Sequence, residues 1–515
     1  MTANAIQRII IAGGGSSGWM TAALLRKELP KSIEICLVES EDIPIIGVGE
    51  ATLPTIRHFN DRIGLDEKAF VEFCQASFKL GIAFKGWGAT DSRYFHAFGD
   101  FGVYSSQAHG HQIHYKLKAL GLDVPLEDLS LATQMARHDR FFPPNPDPAS
   151  LMSAYSYAYH FDAGLYARFM RQHCEQQGVV RRNAQIKGAR IDAQSGNLTC
   201  LVLDDGAELA ADFFVDCTGF RALLIEGALS TGFDDWSRFL PANRAWAAPT
   251  AQASARSIAP YTQSQAHDIG WQWRIPLQHR MGNGCVFSSD FADDTRALDT
   301  FVNNLDGPLL ADPRRLTFTT GRRDLIWNRN CVAIGLAAGF LEPLESTSIQ
   351  LVQLGAITLI DLFPLDKDDA ISRREYNKRM RGHYDAVRDF IIAHYHLNQR
   401  DDGELWRYCR GMAIPDSLAE KLAIYRHRGK VLIGPYEQFL TPSWVSLFAG
   451  QGLHPDHVDP IVAGIDMDSA LRFCRDRQTR IDELVGKLPL HGDFIAKHCP
   501  APAAPLTQDF SWPRF

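Results

Sequence analysis

Ile9-Ile10-Ile11-Ala12-Gly13-Gly14-Gly15-Ser16-Ser17-Gly18-Trp19-Met20 is the stretch whose reading decides the fold. Residues 9–12 form an apolar, β-branched run, the composition of a strand buried in a parallel sheet. Gly13, Gly15 and Gly18 follow at G-x-G-x-x-G spacing. Residues 19–29 are rich in Ala and Leu and stop at Pro30, which predicts a helix. A second apolar run over residues 33–38 ends in Glu39, the twenty-first residue after Gly18.

These parts fit one task. Gly13 permits a tight turn, Gly15 lets backbone approach a pyrophosphate, and Gly18 lets helix and strand pack closely. Together with Ser16 and Ser17 they lead into a helix N-terminus whose unpaired N–H groups and positive dipole end attract phosphate. Glu39 stands where a carboxylate can accept from ribose hydroxyls. A glycine triplet alone would say little, but strand, triplet, helix, strand and acid in this order define a dinucleotide-binding unit. Residues 46–54, including Val48, Gly49, Glu50 and Ala51, are expected to form a loop pressed against the same cofactor.

Bulk properties narrow the class. At 515 residues the chain is long enough for two or three domain-sized units. A net charge of −7 argues against nucleic acid as a partner. No apolar run reaches the length of a membrane span, and the first strand begins too early to leave room for a signal peptide. The ten cysteines are scattered without a C-x-x-C pair, so reduced thiols and a cytoplasmic location are expected.

Further along, residues 70–98 are aromatic-rich and contain Lys79 and Lys85. His109, His111 and His114 have no cysteine or acid with them, so they read as packing and no metal site is expected. His160-Phe161-Asp162 leads a predicted helix over residues 163–177, and residues 179–215 read as a β-meander. That meander ends in Phe213-Phe214-Val215-Asp216-Cys217-Thr218-Gly219-Phe220, an apolar strand with a glycine turn. A second β-rich stretch spans residues 244–318 and places Trp271, Trp273 and Ile275 on one strand face. Residues 331–335 form another buried strand, ending at Gly335 and Leu336. Beyond Glu345, Ser346 or Thr347 is expected to cap a helix over residues 349–362. Residues 366–498 are mostly helical, with Tyr376, Met380, Tyr384, Val387 and Ile391 in one apolar stripe.

Contacts from the distant 216–219 and 335 segments favour a long, bent cofactor, FAD, over NAD. The expected fold class is α/β: an FAD-binding Rossmann-like domain of the glutathione-reductase/monooxygenase type, with mixed β-sheets and a mostly helical C-terminal substrate module. The expected division is residues 1–365 for FAD, with an inserted aromatic-rich, substrate-facing segment at about 60–150. Residues 366–499 form the substrate module, and 500–515 a flexible tail.

Four features together resemble the flavin-dependent tryptophan halogenase family. They are the Gly13 to Met20 unit, Lys79 within Phe-Lys-Leu-Gly, Trp271-x-Trp273-x-Ile275-Pro276, and Glu342-Pro343-Leu344-Glu345-Ser346-Thr347. The tryptophan-bearing element is the most specific, since it separates these halogenases from ordinary flavin monooxygenases. The resemblance implies that FADH2, supplied by a separate flavin reductase, reacts with O2 so that chloride or bromide becomes hypohalous acid. This acid travels through an internal tunnel to Lys79, which binds it by hydrogen bond or as a haloamine. Glu345 positions the oxidant or takes the ring proton, with Ser346 beside them. Backbone amides at Thr347 and Ser348 hold the halide. Trp271 and Trp273 form a flavin-side barrier that keeps organic substrate from the oxidised cofactor.

The chain also departs from that pattern. Ser348 stands where the family has glycine, and the late helical region reads Pro442-Ser443-Trp444-Val445-Ser446-Leu447-Phe448. It carries no tyrosine pair and no acid between Glu437 and Asp456 to clamp an amino-acid head. Indole or an indole derivative is the expected substrate, with Trp444 and Phe448 as pocket surface. The alternatives are a free-tryptophan halogenase, an FAD-dependent aromatic hydroxylase and a flavin-binding carrier. The oligomeric state is left open, a dimer being one option.

Overall fold

The computed structural model describes residues 5–42, 49–252 and 258–502. Its first sheet is built on the opening stretch. Arg8–Ala12 lies between Glu34–Glu39 and Phe213–Asp216, all parallel, with Val180–Asn183 beyond the former and Cys331–Ala333 beyond the latter. Trp327–Asn328 closes that edge antiparallel. Ile9, Ile10, Ile11 and Ala12 are fully buried, as a strand covered on both faces requires. Helix Ser16–Glu28 crosses from the glycine turn and packs against helices Ala163–Gln176 and Ser348–Asp361.

The meander expected over residues 179–215 is corrected at both ends. Val180–Asn183 and Phe213–Asp216 belong to the parallel sheet, and only Ile186–Ile191, Leu198–Leu203 and Glu208–Ala210 form an antiparallel three-stranded unit. Their outer partners lie far away in sequence, which local alternation cannot reveal. His160 to Asp162 likewise ends a strand, Ala158–Asp162, before Asp162 caps helix Ala163–Gln176 by accepting from Leu165 N.

A seven-stranded sheet holds the second β-rich stretch, ordered Arg314–Thr317, Arg244–Thr250, Met281–Phe287, Gly270–Pro276, Thr262–His267, Gly81–Lys85, Arg93–Ala97. Helix Asp294–Asn303 lies within the β-rich stretch in sequence. The aromatic segment therefore extends this sheet through its last two strands. A small antiparallel sheet joins the two halves: Ala158–Asp162 is central, Gly49–Ala51 lies on one side and Ser77–Lys79 on the other.

From Ala370 on, every named element among the described residues is a helix. The longest, Ala370–His396, buries Tyr376, Met380, Tyr384, Val387 and Ile391, as the stripe predicts. Burying each such side chain contributes roughly 1.5–3 kcal/mol. That packing fixes the end of the helix, where His394 and Tyr395 stand. No described helix is long and apolar enough to cross a membrane.

Candidate functional site

Two groups of predicted residues converge. The first surrounds the glycine turn. Gly13 has φ +106°, and a Cβ there would lie 2.3 Å from the Cys217 carbonyl oxygen, so turn and strand end touch backbone to backbone. Gly335, at φ +75°, leaves room for Ser17, whose Cβ would lie 2.7 Å from a side chain at 335. Gly15 differs: a Cβ there meets nothing within 4 Å. Helix Ser16–Glu28 has no side-chain cap and no acid in its first turn, so its amides face that open space. Glu39 lies against Gly14 and accepts from Arg181 Nε at 2.6 Å. An uncapped helix end, open room in front of Gly15 and a carboxylate at the strand tip suit the pyrophosphate and ribose of FAD. Gly49, Glu50 and Ala51 lie in the small joining sheet, whereas Val48 and residues 503–515 of the expected tail fall outside the described residues.

The second group is catalytic in composition. Lys79 is fully buried at the end of its strand. Its Nζ donates to Ser346 Oγ at 2.8 Å and to the Thr52 carbonyl at 3.0 Å. Thr52 directly follows the Gly49–Ala51 strand, so the lysine is tied to the cofactor side by one peptide oxygen. The Phe98 ring lies 5.2 Å from Nζ. Burial pulls the Lys79 ammonium down to about 7, although the nearby Glu345 charge opposes the shift.

Glu345 does not bind the lysine. His96 Nδ1 faces its two oxygens at 2.9 and 3.1 Å, and His394 Nε2 lies obliquely 2.9 Å from Oε1. Burial pushes this carboxyl up, but the two histidines overcome it and hold it at about 2. Neither histidine was singled out from sequence. Glu342, three residues earlier, accepts from Tyr395 Oη at 2.8 Å. Burial pushes Glu342 up to about 8, against Tyr395 and the Trp271 indole. Consecutive residues of one helix, His394 and Tyr395, thus hold two carboxyls with opposite tendencies.

The expected cap ahead of helix Ser348–Asp361 is corrected. Neither Ser346 nor Thr347 caps it by side chain. Ser346 sits at φ +60°, a left-handed conformation that is costly for a residue with a Cβ. That backbone turns its hydroxyl to Lys79. The Thr347 hydroxyl is fully buried without a partner. The helix N-terminus at Thr347 and Ser348 thus carries no side-chain cap.

The remaining predicted residues line up beyond. Trp271 packs on Trp273 and Trp87, each at 5.9 Å between ring centroids, and Trp87 contacts Tyr395 and His394. Trp444 meets Phe390 edge-on at 4.7 Å, and Phe390 in turn borders His96. Phe448 packs on Trp444 at 5.4 Å and on Tyr425 at 4.4 Å. Lys421 lies over the Trp444 ring at 4.7 Å and pairs with Glu437 at 2.6 Å.

A Rossmann-like FAD site joined to a buried lysine, a separately held carboxylate and an uncapped helix end defines a flavin-dependent halogenase. The tryptophan halogenase family model matches residues 8–467, and the chain belongs to that family. Xcc4156, a flavin-dependent halogenase from Xanthomonas campestris, is 42% identical with a TM-score of 0.94, over 97% of this chain and 100% of that one. BrvH, a flavin-dependent halogenase from Brevundimonas sp. BAL3, is 40% identical with a TM-score of 0.91, over 96% and 99%. Tryptophan 7-halogenase KtzQ from Kutzneria sp. (strain 744) is 33% identical, over 96% of this chain and 99% of its own length. The chain is accordingly an enzyme of oxidoreductase type.

Proposed function

We propose that this enzyme chlorinates or brominates an electron-rich arene that lacks an amino-acid head, indole or a simple indole derivative. The observation that carries the reading is the meeting of Lys79, Ser346 and Glu345 in one buried site directly ahead of an uncapped helix. When bound, reduced FAD from a separate flavin reductase supplies, with O2, the oxidation of halide to hypohalous acid.

The chain's own residues do the rest. Amides at Thr347 and Ser348 hold the halide, as a helix N-terminus can without a dedicated side chain. Hypohalous acid passes through an internal tunnel to Lys79. There the amine polarises it by donating to its oxygen or carries the halogen itself. Ser346 aims that amine. The ring carbon attacks the halogen as its bond to oxygen breaks, the oxygen leaving as water with the lysine's proton, or as its bond to the lysine nitrogen breaks, and Glu345 takes the proton that the ring must lose to regain aromaticity. Trp271 and Trp273 keep the arene from the flavin side. Trp444 and Phe448 provide aromatic surface, Trp444 the nearer to the carboxylate.

Residues 1–365 form the FAD-binding part and 366–499 the substrate module, with Lys79 contributed by the aromatic segment. The Lys421–Glu437 pair supports a substrate without an ammonium group, because the acid nearest Trp444 in sequence is already neutralised by the chain. Free tryptophan is the second reading, carried by KtzQ's description as a tryptophan 7-halogenase.

The test supplies chemically reduced FAD, O2, bromide and indole and reads products by mass spectrometry. A bromine isotope doublet on the indole mass supports the proposal. Oxygenated indole without halogen would mean a hydroxylase, and tight FAD binding without turnover a carrier.

A further inference from the structure

His394 stands at the end of helix Ala370–His396, and the family resemblance assigned no residue on that helix. Its Nδ1 lies 2.9 Å from the Phe390 carbonyl oxygen. A carbonyl can only accept, so Nδ1 carries a proton. Its Nε2 lies 2.9 Å from Glu345 Oε1 at an oblique angle, close enough to hold that edge of the carboxylate. The ring itself is locked by aromatic contacts: Phe84 at 5.0 Å, Phe390 at 5.0 Å and Trp87 at 6.0 Å. His96 holds the opposite edge of the carboxylate from the last strand of the seven-stranded sheet. An acid engaged from two sides in this way cannot also swing to the lysine.

We infer that His394 is a positioning residue which, together with His96, holds Glu345 turned away from Lys79, so that the amine is engaged by the Ser346 hydroxyl and a peptide oxygen rather than by a carboxylate. This rests on the proposed halogenase reaction, and it gives a task to two imidazoles that the proposed reaction otherwise leaves without one. A buried lysine paired directly with a glutamate would be fixed as an ammonium. Held apart, the two groups keep separate tasks: one handles halogen and the other removes a proton. The titratable neighbours on each packed element are Lys79 from the small sheet, His96 and Tyr94 from the large sheet, and Glu342 with its partner Tyr395. His160 faces Lys79 and is in turn faced by His491.

The test compares wild type with His394→Leu, which cannot donate to Oε1, and His394→Gln, whose amide can. The readouts are the pH dependence of kcat for indole bromination and FAD affinity as a control on the fold. Releasing Glu345 toward Lys79 stabilises the ammonium, so the limb of the profile that belongs to the lysine moves to higher pH by about one to two units. That direction holds whether the ammonium or the free amine is the working form. The leucine variant should show this shift and at least tenfold lower kcat at pH 7, with unaltered FAD affinity. The glutamine variant should restore the wild-type midpoint. A leucine profile that is merely scaled down, with its midpoint unmoved, overturns the inference. If the leucine variant does not bind FAD, His394→Asn, too short to reach Oε1, carries the same expectation. A crystal structure of it should then show Lys79 Nζ within ion-pair distance of Glu345, and an unchanged separation would sink the idea. Absence of bromination by the wild type would instead count against the functional reading.

Discussion

Lys79 Nζ gives its hydrogen bond to Ser346 Oγ at 2.8 Å, although the Glu345 carboxylate belongs to the residue just before it. The left-handed backbone at Ser346 makes that choice, and the histidines on Glu345 enforce it. The Lys79 amine is therefore oriented by a hydroxyl, while the Glu345 carboxylate is oriented by imidazoles. The following expectations come from that separation and from the packing around it.

Replacing Lys79 with Ala should lower halogenation by about 10²–10⁴-fold, the range for removing a positioned proton donor or acceptor. FAD affinity should stay as in wild type, since no contact of Lys79 reaches the glycine turn. Turnover assays and a flavin fluorescence titration on the same preparation check both. Retained halogenation would remove Lys79 from the mechanism.

Ser346 allows a finer comparison. Ser346→Ala loses the acceptor and leaves a buried amine with one partner fewer, at a cost of about 1–3 kcal/mol. It also keeps a Cβ at φ +60°. Ser346→Gly loses the same acceptor but relieves the backbone, so it should be more stable than the alanine variant by about 1 kcal/mol. Both should halogenate poorly. Denaturation midpoints showing alanine at or above glycine would contradict the strained-backbone account.

Glu342 and Glu345 should give opposite pH dependences of stability. The folded pKa of Glu342 is raised to about 8, so its contribution is complete below the unfolded value of about 4.3 and is lost as pH rises through 8. Glu342→Gln can still accept from Tyr395 and cannot ionise. Relative to wild type it should gain about 4 kcal/mol between pH 5 and pH 9. Glu345 is held at about 2, so its contribution is complete above about 4.3 and is lost as pH falls through 2. Glu345→Gln should accordingly lose less stability than wild type on acidification to pH 3, by about 1.5–2 kcal/mol. Urea midpoints across pH 3 to 9 measure both, and parallel curves for variant and wild type would refute the assignments.

The glycine turn separates folding from cofactor binding. Gly13→Ala places a Cβ 2.3 Å from the Cys217 carbonyl at a positive φ and should fail to fold or melt far below wild type. Gly15→Ala meets no protein atom within 4 Å, so its apo stability should match wild type within about 0.5 kcal/mol. The same methyl occupies the space a pyrophosphate needs, and FAD affinity should fall at least tenfold. Undiminished FAD binding by Gly15→Ala would mean that the cofactor does not approach this turn.

How much of this was legible in the sequence depends on distance along the chain. The FAD unit is local: strand, glycines, helix and acid lie within 40 residues, and each carries its own reason. Helix Ala370–His396 announced its buried face by spacing alone. The edges of the parallel sheet did not, because Val180–Asn183 finds its partner in Glu34–Glu39 only after folding. The histidines around Glu345 were illegible for the same reason. His96 arrives on an edge strand and His394 at a helix end, and no spacing links them to the Glu-Pro-Leu-Glu-Ser-Thr motif. Of the two cap candidates, Thr347 stands at the N-cap position without a side-chain bond, and Ser346 was misread because residue type does not predict a left-handed backbone that points its hydroxyl elsewhere.

Substrate charge gives the last expectation. An ammonium brought beside Trp444 would need an acid, and Glu437 is already bound to Lys421 at 2.6 Å, with Lys421 itself lying over the indole face at 4.7 Å. Indole should therefore show kcat/KM at least tenfold above tryptamine, about 1.4 kcal/mol of discrimination. Lys421→Met removes the internal cation and leaves Glu437 in need of a partner, which a substrate ammonium can supply. In that variant the indole preference should narrow or reverse, with Lys79 and Glu345 untouched. Competition assays with equal concentrations of the two arenes read the ratio directly. A wild type that already prefers tryptamine or tryptophan would show that an acid other than Glu437 faces the ring, and the neutral-arene reading would fall with it.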